Sequence, residues 1–156
     1  MAYADDMPAG AKTDPQYAGL YISSSAATAI TALNTPLKAA GTYAALGATG
    51  RGFLADTTNK RITRTGRETV VALVTVQFTA DIETATDVID VMIYKNGSAV
   101  TGAKLSPNIT SGTPKQAAVS ALVSFDVGDY VEVWVQNTET AADITLTQLM
   151  FSVYAG

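Results

Sequence analysis

Residues 116–137 read QAAVSALVSFDVGDYVEVWVQN, and their pattern decides the fold. From 130 to 136, Val131, Val133 and Val135 alternate with Tyr130, Glu132, Trp134 and Gln136. A period of two with one apolar and one polar face is a β-strand packed on a core on one side only. Gly128-Asp129 makes the tight turn that leads into it, and 116–127 is the strand that runs into that turn. A second hairpin lies upstream. In DVIDVMIYK (87–95), Ile89, Val91 and Ile93 alternate against Asp90, and Asn96-Gly97 follows. Asn-Gly is the strongest short hairpin signal, because a type I′ turn needs positive φ at both central residues. Residues 98–105 then form the return strand, and 107–114 a loop.

Working outward, ETVVALVTVQFTA (68–80) and ITLTQLMFSVYA (144–155) read as further strands, the second closing the chain. Residues 18–23 and 36–46 carry short strands, 24–33 a possible weak helix, 47–52 a loop, and NKRITRT (59–65) an exposed strand bearing basic residues. Residues 1–17, with Pro8, Gly10, Pro15 and three acids, read as a flexible arm ahead of a single domain at 18–156. Turn-bounded strands without βαβ units or repeats make this an all-β sandwich or barrel.

The composition fits one globular domain. Of 156 residues, 47% are hydrophobic and 15% charged, too apolar for disorder and too poor in charge for a coiled coil. A net charge of −4 argues against nucleic acid as the partner. There is no His and no Cys, which removes the usual general base, the commonest metal ligand, thiol nucleophiles, cysteine-held zinc and disulfides. Paired carboxylates and a Ser-Lys dyad remain. Asp126 and Asp129 flank Gly128 and read as turn residues, and no Ser-x-x-Lys occurs. Asp81, Glu83 and Asp87, with Thr84 and Thr86 between them, could hold calcium, but they match no EF-hand loop and read as a polar loop. Tyr130 and Trp134 share a wet face, where they could stack on a sugar or a partner, or pack beside a neighbouring strand. The expectation is no enzyme, no cofactor and no metal. The acidic start has no leader pattern, and the longest apolar runs fall far short of the roughly 20 residues that span a bilayer. A soluble protein made in the cytoplasm of its producing cell, with no membrane partner, is expected.

Three strands carry apolar residues on both faces. In 68–79, Val71 and Leu73 oppose Val70, Val74, Val76 and Phe78. In 117–125, Leu122 opposes Val119, Val123 and Phe125. In 144–154, Leu149, Phe151 and Val153 oppose Ile144, Leu146 and Met150. A sandwich buries only one face of each sheet, so the other needs a cover. Either the Ala/Thr-rich N-terminal segment folds over it or another copy of the chain does. Val71, Leu73, Leu122, Leu149, Phe151 and Val153 are the expected interface between copies.

Three segments, IYKNGSAV (93–100), LVSFDVGDYVEVWVQNT (122–138) and ITLTQLMFSVYAG (144–156), carry a resemblance, supported by LYISSSAATAIT (20–31) and RITRTGRETVVALVTVQF (61–78). From about residue 17 onward the chain resembles a jelly roll of the complement-globular-head and tumour-necrosis-factor type, in its bacteriophage form. The resemblance implies a homotrimer, with the three two-faced strands on the inner sheet beside the trimer axis. It also implies a virion protein of one of two kinds. The expected kind is a capsid decoration or cement protein on the outer head surface. It would bind the major capsid protein at threefold or quasi-threefold positions and bridge its subunits. The alternative is the receptor-binding tip of a tail fibre or spike, though no coiled coil, collagen repeat or β-helix supplies a shaft. For the shell contact, the candidates are the arm acids Asp5, Asp6 and Asp14, and the basic residues Arg51, Lys60, Arg61, Arg64 and Arg67. The basic set could equally be a solvated ribbon whose charges protect a sheet edge.

Overall fold

The computed structural model describes residues 15–47 and 52–156, so Asp5, Asp6, Asp14 and Arg51 lie outside the described residues. Within them the chain is all strand, with no helix. The strands are β1 (Gln16–Ser24), β2 (Ala27–Thr28), β3 (Leu37–Lys38), β4 (Thr42–Ala45), β5 (Phe53–Asp56), β6 (Arg61–Arg64) and β7 (Val70–Ile82). There follow β8 (Thr86–Lys95), β9 (Ser98–Leu105), β10 (Asn108–Thr110), β11 (Lys115–Phe125), β12 (Tyr130–Asn137) and β13 (Ile144–Ala155). They form two antiparallel sheets. One runs β11-β7-β13-β1-β4, with β2 beside β13, and the other runs β10-β8-β12-β6-β5, with β3 on β12 and β9 on β8. Consecutive strands β7 and β8, and again β11 and β12, lie in different sheets, which is the jelly-roll manner of wrapping one core between two layers.

Alternation places the core. Ala72, Val74, Val76, Phe78, Ala80 and Ile82 of β7 point inward, opposite Ile89, Val91 and Ile93 of β8 and Val131, Val133 and Val135 of β12. Phe53 meets Phe125 edge-on across the sandwich, their ring centroids 5.3 Å apart. The Asn96-Gly97 turn has φ of 51° and 80°, the two positive values of a type I′ turn.

Five expectations change, the first being that the loop expected over 107–114 holds β10, paired with β8. β1 begins at Gln16, paired with Ala155, so residues 16 and 17 belong to the sandwich and not to an arm. Residues 24–33 hold β2 and irregular chain, not a helix. The Thr28 hydroxyl accepts the Ala40 N–H at 2.9 Å and Asp143 Oδ1 accepts the Ile30 N–H at 2.9 Å, so long-range side-chain bonds replace helical ones. β6 lies inside its sheet, between β12 and β5, so its basic residues do not guard an edge. In β13 the register with β7 passes from Leu146↔Ala80 to Gln148↔Thr79, so Thr147 is an extra, bulged residue. The bulge reverses the phase of the strand. Ile144 and Leu146 are buried before it, and Leu149, Phe151, Val153 and Ala155 are buried after it. Of the six apolar residues that read as two faces, five therefore share the inner one and Met150 alone faces outward.

Candidate interaction surfaces

The outer face of the six-stranded sheet is built by the strands with the strongest alternation. Outward from it point Val71, Leu73, Thr75, Gln77 and Thr79 of β7, and Gln116, Ala118, Ser120, Leu122 and Ser124 of β11. β13 adds Gln148, Met150, Ser152 and Tyr154, and β1 adds Tyr17, Gly19 and Tyr21. None of these residues is charged; the next outward position on β7 is Asp81, at the far end of the strand opposite Thr145. Register aligns four of them straight across the sheet, Leu122↔Leu73↔Tyr154↔Tyr17. They are 73%, 42%, 53% and 45% exposed, and Val71 beside them is 62% exposed. A middle row of Ser120, Thr75 and Ser152 is small, so a partner surface can approach the backbone there, while Leu46 covers Gly19 at the end of the row. Beyond that row, Tyr21, Met150, Gln77, Ala118 and Gln148 line a shallow hollow of about 730 Å³.

The expected interface residues separate on this face. Val71, Leu73 and Leu122 lie on it. Leu149, Phe151 and Val153 do not, because the Thr147 bulge turns them into the core, where they are 3% exposed or less. Tyr17 and Tyr154 take their place. An unbroken alternation through 144–154 puts Tyr154 on the other face, and reading 1–17 as an arm leaves Tyr17 out of the sheet.

Among the described basic residues, Arg64 stands apart from the others. Arg64 is 2% exposed and closes one end of the sandwich. Its Nη1 donates to the Gly52 carbonyl at 2.9 Å and to Gln16 Oε1, and its Nη2 donates to the Glu68 carbonyl at 2.9 Å. The guanidinium also lies over the Phe53 ring, 5.0 Å from its centroid, while its Nε has no hydrogen-bond partner among the described residues. Burial pulls this guanidinium below its ordinary pKa, and the Glu68 charge opposes that. Arg64 is thus a structural plug that ties β1 to β5 and to the loop before β7, and it is not available to a shell surface. Arg61 pairs with Asp56 at 3.5 Å and lies 4.7 Å over the Tyr130 ring, which leaves it a third exposed. Lys60 stands 5.7 Å over Tyr43, and Arg67 is exposed.

The outer face of the seven-stranded sheet carries a hydrogen-bonded cluster. Trp134 stacks on Tyr94 at 4.5 Å and 11°, and its indole N–H donates to Glu132 Oε2 at 2.9 Å. Lys38 pairs with the other Glu132 oxygen. Asp90 accepts from Ser106 at 2.6 Å, Gln136 at 2.7 Å and Lys104 at 3.3 Å. Both carboxylates are buried and fully bonded, so Trp134 packs within the sheet instead of standing free as a platform.

The acidic loops are also engaged. Asp81 Oδ1 accepts the Gly112 N–H at 3.0 Å, and Asp87 is buried against Asn137 at 2.8 Å and the Thr140 hydroxyl. Among the described residues no group of three or more acids is placed to hold a metal. At the β11–β12 turn, Asp129 Oδ2 pairs with Lys95 at 2.7 Å and accepts the Asp126 N–H at 2.8 Å, and its Oδ1 accepts from Asn96 at 2.7 Å. Burial would raise the pKa of Asp129. The bonds from Lys95, Asn96 and the Asp126 amide, with the Lys95 charge, outweigh it and hold the carboxyl down to about 2.

No protein-family model and no curated protein matches the chain. Solved structures match it by shape. Murine APRIL, in its crystal structure at pH 8.5, superposes with a TM-score of 0.58 at 13% identity, covering 90% of this chain and 98% of that one. Eiger TNF from S. frugiperda gives 0.59 at 14% identity, covering 90% and 92%. The PRD1 vertex protein P5 gives 0.58 at 14% identity, covering 90% and 95%. At such identities the likeness is one of architecture alone: the chain folds as a TNF-like jelly-roll sandwich.

Proposed function

We propose that the chain is a homotrimeric phage virion protein that decorates the head and clamps neighbouring capsid subunits. The observation that carries the self-association is the uncharged sheet face with its Leu122–Leu73–Tyr154–Tyr17 row. Exposed apolar side chains gathered in one row, on a stretch of sheet face with no charged side chain from residue 71 to 79, mark an interface. Burial of this face contributes roughly 25 cal/mol per Å² of apolar area, with no ion pair to desolvate. The virion reading rests on the sequence resemblance, and the shared architecture with the PRD1 vertex protein P5 supports it. The partner is the major capsid protein. The shell contact falls to residues 1–14, Arg51, Lys60, Arg61 and Arg67, with Arg64 withdrawn because it is enclosed. Each trimer bridges several capsid subunits, so modest contacts multiply through effective concentration. Trp134 and its carboxylate neighbours bond to one another, which favours this reading over a sugar-binding fibre tip.

Two measurements test the proposal. Light scattering of the purified chain should give three copies per particle. Mass spectrometry and cryo-electron microscopy of virions should find hundreds of copies on the head. A handful of copies at the tail would overturn decoration in favour of a receptor-binding tip, and a monomer in solution would overturn the reading of the sheet face.

A further inference from the structure

Asn-Gly is the dipeptide most open to spontaneous deamidation, because glycine leaves its own backbone nitrogen uncovered. Asn96-Gly97 sits at an exposed hairpin tip, with nothing within 4 Å of the place a Gly97 side chain would occupy. By accessibility alone it should decay. The side chain of Asn96 is nevertheless committed on both of its polar atoms. Its Nδ2 donates to Asp129 Oδ1 at 2.7 Å, and its Oδ1 accepts the Tyr130 N–H at 3.0 Å. Its backbone N–H donates to the Tyr130 carbonyl at 3.0 Å, so the β8–β9 turn is stitched to the β11–β12 turn at three points. Asp129 is itself held by Lys95 and by the Asp126 amide.

We infer that Asn96 is a deamidation site held shut by the Asp129–Tyr130 clamp, and that opening the clamp starts a chemical clock in this protein. In the reaction the Gly97 backbone nitrogen attacks Asn96 Cγ. The new N–Cγ bond closes a succinimide, the Cγ–Nδ2 bond breaks, and Nδ2 leaves as ammonia with the proton released from the Gly97 nitrogen. Water then opens the ring at either carbonyl to give aspartate or isoaspartate. Attack requires Cγ to reach the Gly97 nitrogen, and the two side-chain bonds hold the amide on the neighbouring turn. The product cannot re-form the clamp. A carboxylate at 96 loses the donor to Asp129 and sets two negative groups beside one lysine, and isoaspartate adds a backbone atom to a two-residue turn that has no room for it.

The test is peptide mapping by mass spectrometry, following conversion at Asn96 during incubation in mildly alkaline buffer at physiological temperature. The folded chain should convert about ten- to a hundred-fold more slowly than the same chain held unfolded in urea, since opening must break two side-chain hydrogen bonds. Asp129→Ala, confirmed folded by circular dichroism, should regain at least several-fold of that rate. Lys95→Met removes the ion pair but leaves the clamp, and should stay slow, which separates the clamp from general loosening. Equal rates in the folded and unfolded wild-type chain would overturn the inference. So would a folded Asp129→Ala protein as slow as wild type, or Lys95→Met as fast as Asp129→Ala. If Asp129→Ala fails to fold, the folded-to-unfolded ratio of the wild type alone decides.

Discussion

Gly66→Ala is expected to destabilise the protein only when Arg64 is present. A Cβ added at Gly66 would lie within 3.0 Å of Arg64 Cζ, Nη1 and Nη2. The Gly66 backbone is not in the left-handed region, so alanine costs nothing in φ there. The guanidinium cannot simply step aside, because it holds the carbonyls of Gly52 and Glu68 and the Gln16 side chain. Displacing it strands buried acceptors at about 1–3 kcal/mol each, tempered by water that enters at the sandwich end. Gly66→Ala alone should therefore cost about 2–4 kcal/mol, and Arg64→Ala about 3–5 kcal/mol, since it also removes packing on Phe53. In the Arg64→Ala background the same glycine change should be neutral, or stabilising by about 0.5 kcal/mol through the unfolded chain. The coupling of about 2–4 kcal/mol is read from urea titrations of the four proteins at one protomer concentration, with m held constant. A Gly66→Ala cost that is the same in both backgrounds would refute the plug.

Leu73→Glu and Leu122→Lys place a charge on an exposed, uncharged face. Each should dissociate the oligomer in light scattering while circular dichroism stays that of a folded sandwich. Asp129 has its carboxyl pKa lowered to about 2, so its stabilising contribution is full above the unfolded value near 4 and disappears as pH falls through about 2. That contribution is about 1–2 kcal/mol for a partly exposed group, and an acid titration of Asp129→Ala should show a correspondingly flatter loss of stability across that window. Ala85 holds φ of 61° in the β7–β8 turn, so Ala85→Gly should raise stability by about 1 kcal/mol in thermal melts.

The strands that sequence reveals here are those in which one face repeats without interruption. Val131, Val133 and Val135 gave β12, and Asn96-Gly97 gave its neighbour's turn. β5 and β10 are four and three residues long, too short for a period to register. Thr147 defeats alternation for a different reason. A bulge depends on what the partner strand does, and nothing in the hydroxyl of a threonine announces it. Arg64 shows the limit for sites. Charge predicts exposure unless the neighbourhood supplies acceptors, and here two of the acceptors are backbone carbonyls of Gly52 and Glu68, which no side-chain pattern encodes. The proposed self-association face was half legible. Leu73 and Leu122 stand out as apolar residues on the wrong side of their strands, whereas Tyr17 and Tyr154 join them only through the pairing of β1 with β13.

That pairing also orders events in time. β13 occupies the middle of the six-stranded sheet, between β7 and β1, yet follows every other strand along the chain. During synthesis β11 and β7 can zip together on one side and β1 and β4 on the other, but the two halves stay apart until β13 emerges to join them. Most of the ladder contacts are thus long-range in sequence, a topology that folds slowly. The nascent chain must carry two open β7 and β1 flanks on the ribosome, and the aromatic row cannot exist until translation has passed Tyr154. In the proposed trimer, a chain stopped short of β13 would therefore lack Tyr154 and the strand that brings Tyr17 into line with Leu73 and Leu122.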